Sequence, residues 1–138
     1  MADRLFFDTS ILVYAQASGE AHKRKTARRL LSARLSDQTA VLSTQVLQEY
    51  FVAATRLGLS AGLAQQHVAA YAEANVVQVT TGLIHAAIDL HRLHRISFWD
   101  ALILRAARAG GCRVVLSEDM KDGHDYDGVR VENPFRKS

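Results

Sequence analysis

Four carboxylates in this chain of 138 residues occupy positions where they could do chemistry together. Asp8 closes the apolar string Leu5-Phe6-Phe7, and Glu49 lies in Gln48-Glu49-Tyr50. Asp100 follows Ser97-Phe98-Trp99, and Asp119 follows Leu116-Ser117-Glu118. A chain of alternating strands and helices gathers such positions at one edge of its sheet. Carboxylates that converge without a compensating base need a hard divalent cation, which points to metal-dependent phosphate chemistry. Each acid alone has a structural reading. Asp8 could cap a helix starting at Thr9 or Ser10, and Asp100 could close a capping box with Ser97. Glu49 could be a solvated helix residue and Asp119 a turn residue. Four independent caps, however, need not meet at one sheet edge.

The elements that must position these acids follow from hydrophobic pattern and end signals. Arg4 to Phe7 reads as a short buried strand ending at Asp8, and Ser10 to Ala15 as helical. Glu20 to Leu35 is a helix with Leu30, Leu31 and Leu35 on one side and Lys23, Arg24, Lys25, Arg28 and Arg29 on the other. Ala40 to Ser43 is a second strand, and Ser43 or Thr44 caps a helix running to Leu57. Gly58 closes it, and Ser60 starts another toward Glu73. Val76 to Val79 is a third strand, Leu83 to Leu93 a helix, and Ser97 caps a further helix to Ala109. Gly110-Gly111 ends that helix, Arg113 to Leu116 is a fourth strand, and Val129 to Val131 a possible fifth. The expected fold is α/β: one domain over residues 1–138, a doubly wound, mainly parallel sheet of four to five strands with helices on both faces. Ligands bind such sheets beyond the carboxyl ends of the strands. At 100° per residue Asp100 shares a face with Ile103, Leu104 and Ala107, so it points inward. Glu49 sits at the edge of the stripe Val46, Tyr50, Ala53, Ala54 and Leu57.

The composition, 49% hydrophobic and 22% charged, is that of a globular protein. There are 17 Lys and Arg against 14 Asp and Glu, a net +3; with four acids committed to metal, ten remain against 17 bases. A basic exterior around an acidic pocket suits a polyanionic substrate, although a small excess also serves solubility. No apolar run approaches the roughly 18 residues of a membrane span. The start, Met1-Ala2-Asp3-Arg4-Leu5, lacks the layout of a signal peptide, and the lone Cys112 fits a reducing compartment. A cytoplasmic location with no membrane contact is expected.

Other patterns point less far. Gly58-Leu59-Ser60-Ala61-Gly62 matches G-x-S-x-G, but a helix rather than a strand precedes the serine. His85, His91 and His94 lack zinc-pair spacing. The acidic loop from Asp119 to Asp127 fails the EF-hand register. Trp99 could stack on a base or pack at the helix entry.

Taken together, the strings Phe7-Asp8-Thr9-Ser10-Ile11-Leu12-Val13-Tyr14-Ala15, Ser43-Thr44-Gln45-Val46-Leu47-Gln48-Glu49-Tyr50, Ser97-Phe98-Trp99-Asp100-Ala101-Leu102-Ile103, Leu116-Ser117-Glu118-Asp119-Met120 and Val131-Glu132-Asn133-Pro134-Phe135 resemble the PIN-domain ribonucleases, and among them the VapC-type toxins of toxin–antitoxin pairs. The resemblance implies catalysis by Asp8, Glu49, Asp100 and Asp119, with Mg²⁺ or Mn²⁺ held by Asp8, Asp100 and Asp119. It further implies an RNA substrate, products bearing a 5′-phosphate and a 3′-hydroxyl, a homodimer and a cognate antitoxin. Many relatives have Asn at the position of Ser10, and Ser117 resembles the small hydroxyl residue that steadies the last loop. Glu118, Asp119 and Asp122 share that loop; the family's pattern favours Asp119, with Asp122 as an accessory. A catalytically silent RNA-binding or scaffold module on the same fold is the alternative.

Overall fold

The computed structural model describes residues 3–17 and 19–136; Met1 and Ala2, part of the start read above, lie outside them. Strand β1 (Leu5–Phe7) is fully apolar and buried, and it leads into α1 (Thr9–Gln16) and α2 (Ala21–Ser36). β2 (Ala40–Ser43) is followed by α3 (Thr44–Arg56) and α4 (Ala61–Tyr71), and β3 (Asn75–Val77) by α5 (Thr81–His94) and α6 (Phe98–Ala109). β4 (Val114–Leu116), β5 (Asp125–Tyr126) and β6 (Val129–Glu132) complete the order with no helix between them.

The helix starts are chemically explicit. The hydroxyls of Ser43, Ser60, Thr80 and Ser97 each accept an N–H three residues on, at 3.0–3.3 Å. Each satisfies an otherwise orphaned donor of the first turn. Gly58, at φ +103°, terminates α3 in the left-handed region, so the G-x-S-x-G string is one helix end and one helix start.

The sheet order is β3-β2-β1-β4-β6-β5, parallel except for the β5–β6 pair. The sheet therefore has six strands, one or two more than expected. The addition is the two-residue β5, folded back antiparallel through a turn with Asp127 and Gly128 at positive φ. β3 begins one residue early and stops at Val77, because the Val79 N–H bonds to the Thr44 hydroxyl instead of a ladder partner. α5 begins at Thr81, two residues ahead of its first apolar position.

From β1 the connections through α1–α2 and α3–α4 step outward one way. The connection through α5–α6 returns to the other side of β1. With crossovers of one hand, that reversal puts α5 and α6 on the opposite face. α6 packs across β2, β3, β4 and β6. Phe6, Phe7, Val41, Leu42 and Val115 form the fully buried centre. The topological switch point falls between β1 and β4, whose carboxyl ends carry Asp8 and the Ser117–Asp119 loop.

Close approach of the α6 end to the sheet holds this arrangement. A methyl group added to Gly110 would lie 2.7 Å from Val41 Cγ1 and 3.0 Å from Val77 Cγ2. Both neighbours are β-branched and cannot swing away freely. Gly110→Ala is expected to destabilise the chain by about 1–3 kcal/mol, the range for overpacking, as measured by urea unfolding. An unchanged midpoint would show that α6 shifts without cost.

Candidate functional site

Asp8 follows β1 directly and is 7% exposed. Its backbone N–H extends the ladder to the Leu116 carbonyl at 3.0 Å. Its Oδ1 accepts the Thr9 N–H at 2.7 Å, so the cap reading is correct as far as it goes. Its Oδ2 accepts the Ser117 hydroxyl at 2.7 Å. Burial pushes the Asp8 carboxyl up to about 6 against these two hydrogen bonds, and the charges of Glu49 and Asp119 push the same way.

The other three acids reach the same edge from different elements. Glu49, on α3, is half-buried; its Oε1 accepts the Thr9 hydroxyl at 2.7 Å and its Oε2 the Gln45 amide at 3.2 Å. Asp100 sits in the first turn of α6, half-buried, on the face that also carries the buried Ile103, Leu104 and Ala107. Burial raises its carboxyl, a hydrogen bond from Ser97 lowers it, and Glu49 raises it again. Asp119 is exposed on the loop after β4, and its N–H donates to the Ser117 hydroxyl at 3.2 Å. Although the residue is exposed, its carboxyl is partly desolvated among its neighbours, which raises it, and Glu118, Asp100 and Glu49 raise it further. Asp8 and Asp119 are thus each raised by two of the other three, and Asp100 by one. The sequence-predicted acids are brought together.

Three uncharged residues bind the cluster into one network, Thr9 through both its backbone N–H and its hydroxyl. Thr9 bridges Asp8 and Glu49, and Ser117 bridges Asp8 and the Asp119 backbone. Gln45, 4% exposed, donates to Glu49 and to the Trp99 carbonyl at 3.2 Å, tying α3 to the start of α6 beside Asp100. Sequence reasoning picked out Ser117 but missed Thr9 and Gln45. The available signal for Gln45 was its place one helical turn before Glu49.

The loop's remaining acids face elsewhere. Asp122 accepts the Asn133 N–H and an Arg136 N–H, each at 2.8 Å, which hold its carboxyl below the usual range. Glu118 accepts from Lys23 at 2.5 Å and from the Tyr14 hydroxyl at 2.6 Å. Burial raises its carboxyl, but those two partners outweigh it and the net displacement is downward. Ser10 accepts the Glu118 N–H at 3.2 Å, so its hydroxyl orients the loop. Asp127 pairs with Arg105 and Arg108, and Asp125 closes the β5–β6 turn on the Gly128 N–H.

Among the described residues, no lysine or arginine pairs with Asp8, Glu49, Asp100 or Asp119. Nor do any three acidic, imidazole or thiol side chains among them form a ready-made metal cage. Hard oxygen donors in excess, loosely gathered, suit an ion that takes one or two carboxylates directly and keeps its waters, as Mg²⁺ does. The buried Gln45 Oε1, which lacks a hydrogen-bond partner among the described residues, is one more oxygen donor in the same network.

The sequence matches the PIN-domain family over residues 5–121. No curated protein matches it. Among solved structures the fold is similar to VapC20 of Mycobacterium tuberculosis, described as a sarcin-ricin loop cleaving toxin (TM-score 0.70, 24% identity, covering 83% of this chain and 89% of that one). It is also similar to a toxin–antitoxin complex from Klebsiella pneumoniae (TM-score 0.70, 20% identity, 96% and 99% covered). A third is VapBC2 from Rickettsia felis, bound to a DNA fragment from its promoter (TM-score 0.69, 18% identity, 94% and 97% covered). At these identities the likeness is one of fold.

The raised Asp8 carboxyl has a consequence for stability. Between the ordinary value of 3.8 and about 6, the folded chain holds a proton that the unfolded chain has released. Stability therefore falls as pH rises through that window, and the full cost, at most roughly 3 kcal/mol, is present above it. In chelator at neutral pH, Asp8→Asn is expected to be more stable than the unsubstituted chain. That advantage should vanish below pH 3.8. Denaturant titrations across this range check it; equal stability at neutral pH would contradict it.

Proposed function

Because this chain belongs to the PIN-domain family, we propose that it is a Mg²⁺- or Mn²⁺-dependent endoribonuclease, the toxin of a toxin–antitoxin pair. The observation that carries the reading is the meeting of Asp8, Glu49, Asp100 and Asp119 at the switch point with no basic side chain among the described residues paired with them. Asp8 and Asp100 would hold the metal directly, Asp119 would join them at this or a second ion, and Glu49 would hold its water. The bound ion would polarise the scissile phosphate and make a water acidic enough to act as nucleophile near neutral pH.

The chain's own part is placement. Ser117 and Thr9 leave Asp8 little rotational freedom, and Thr9 with Gln45 does the same for Glu49. Fixed donors of this kind convert a flexible carboxylate into a pre-oriented one. Trp99, 61% exposed beside Asp100, offers an indole face on which an unpaired base could stack. Exposed Phe51, Val52, Leu57 and Leu63 give α3 and α4 an apolar outer surface, which supports contact with a protein partner, a second copy or the antitoxin. No helix among the described residues is long and apolar enough to cross a membrane. The proposed setting is the cytoplasm.

Labelled RNA incubated with the purified chain tests the reading. Cleavage is expected with Mg²⁺ or Mn²⁺ and is expected to stop on chelation. Asp8→Asn and Asp100→Asn should each abolish it with the circular dichroism spectrum intact. Ser117→Ala should slow it roughly 10–100-fold, the usual effect of removing a group that orients a metal ligand. Asp122→Asn, whose carboxylate faces Arg136, should cut normally. A chain that binds RNA yet never cuts it is the silent module instead.

A further inference from the structure

The short links between β4, β5 and β6 leave part of the sheet without a helix. α6 covers β4 and β6 from one side, and no crossover helix exists to cover them from the other. What remains there is a groove of about 430 Å³ between α2 and the strands. Its lining includes the apolar Leu5, Leu30, Val114 and Leu116 and the basic Arg4, Arg29, Arg34 and Arg113. Two acids, Asp3 and Glu132, also line it, and Glu132 is engaged by Arg130. The balance is basic.

Two of the arginines are anchored. Arg34 donates to the Asp3 carbonyl at 2.6 Å and to the Thr39 hydroxyl at 3.3 Å, and Arg4 donates to the Gly110 carbonyl at 3.2 Å. A guanidinium has five donors, so each anchored arginine retains most of its hydrogen-bonding capacity in a fixed orientation. The guanidinium groups of Arg29 and Arg113 make no hydrogen bond or ion pair with a described residue, although the Arg113 carbonyl accepts the Arg130 N–H at 2.8 Å. The basic run of α2 is therefore not one surface. Lys23 is committed to Glu118, Arg28 donates to the Ala15 carbonyl at 2.6 Å, and Arg29 turns into the groove. The groove's lining reaches Leu116, the residue before the Ser117–Asp119 loop, about 10 Å along β4 from Arg113 at the rise of a strand.

We infer that this groove binds the phosphate backbone of single-stranded RNA, holding the part of the strand that runs away from the acidic edge. That RNA is the ligand rests on the function proposed above. Planar, free guanidiniums matched to phosphate oxygens supply the recognition, which makes it independent of base sequence. Distance from the four acids lets the chain attract a polyanion without neutralising its own metal-binding carboxylates.

The test is binding of an end-labelled, mixed-sequence single-stranded RNA to the full chain in chelator, across a salt series. Arg29→Gln with Arg113→Gln should weaken binding roughly tenfold at low salt. The same pair should flatten the slope of log affinity against log salt by about 1.4, or about 0.7 for each phosphate no longer neutralised. Arg29→Lys with Arg113→Lys should keep most of the slope. Lys25→Gln with Arg56→Gln removes the same charge elsewhere and should change affinity less than threefold, a bound below the roughly tenfold loss expected in the groove. The proposal is overturned if the Gln pair folds and binds like the unsubstituted chain. It is overturned equally if the control pair loses as much affinity, since net charge then explains the effect. If the Gln pair fails to fold, full binding by the Lys pair with an unchanged slope supports the groove, and loss of slope in a folded Lys pair counts against it. A chain that cleaves RNA while the Gln pair binds normally removes the groove and keeps the nuclease. A chain that shows the groove effect but never cleaves removes the nuclease and keeps the groove.

Discussion

The hydrogen bond from Ser117 to Asp8 spans the point where the sheet changes direction, and the acidic site is assembled around it. The β1–β4 ladder ends with the Asp8 N–H on the Leu116 carbonyl; one residue further, side chains continue what backbone can no longer do. Ser117 then turns its loop by accepting the N–H groups of Asp119 and Met120, at 3.2 and 3.4 Å. On the other flank Asp8 is linked through Thr9 to Glu49, and Glu49 through Gln45 to the start of α6. Four elements distant in sequence are thereby held in one register by neutral donors. Neutral donors suit the task, because a lysine or arginine in the same place would cancel the charge that the site exists to present.

Holding like charges together works against stability. Burial raises the carboxyls of Asp8, Asp100 and Asp119, and their mutual repulsion adds to it. The fold tolerates this because the strain is confined to one edge of a sheet whose centre is fully buried and apolar. A cation bound at such an edge would relieve the repulsion and add its binding energy to the stability of the folded chain.

Much of this was legible in the sequence, and the parts that were not share a cause. Short apolar strings gave β1, β2 and β4, and hydroxyl residues one turn before apolar stretches gave the caps at Ser43, Ser60 and Ser97. Asp100 was legible because a charge on an apolar helix face is conspicuous. β5 was not, since Asp125–Tyr126 has no pattern of its own and pairs only because the following turn returns it to β6. Thr9 carried no local mark, because its partner Glu49 lies 40 residues away; Gln45 carried only its place one turn before Glu49, and its other partner, Trp99, lies 54 residues away. The choice between Asp119 and Asp122 was likewise closed to local reading: what separates them is Arg136, 14 residues downstream.

That last separation bears on how many charges the edge presents. The segment from Glu118 to Asp122 contains three acids within five residues, and an unselective loop would add all of them to the cluster. Instead Lys23 and Tyr14 draw Glu118 toward α1 and α2, and Arg136 with Asn133 draws Asp122 toward the end of the chain. Asp119 alone is left coupled to Asp100 and Glu49. One divalent ion with its waters can offset two or three nearby carboxylates, and six would leave a large uncompensated charge facing an approaching phosphate. The basic residues that pair with this loop thus act by subtraction. Lys23 and Arg136 each offset one of the loop's acids, with Glu118 still raising the Asp119 carboxyl, and a few carboxylates are what one hard cation with its waters can balance.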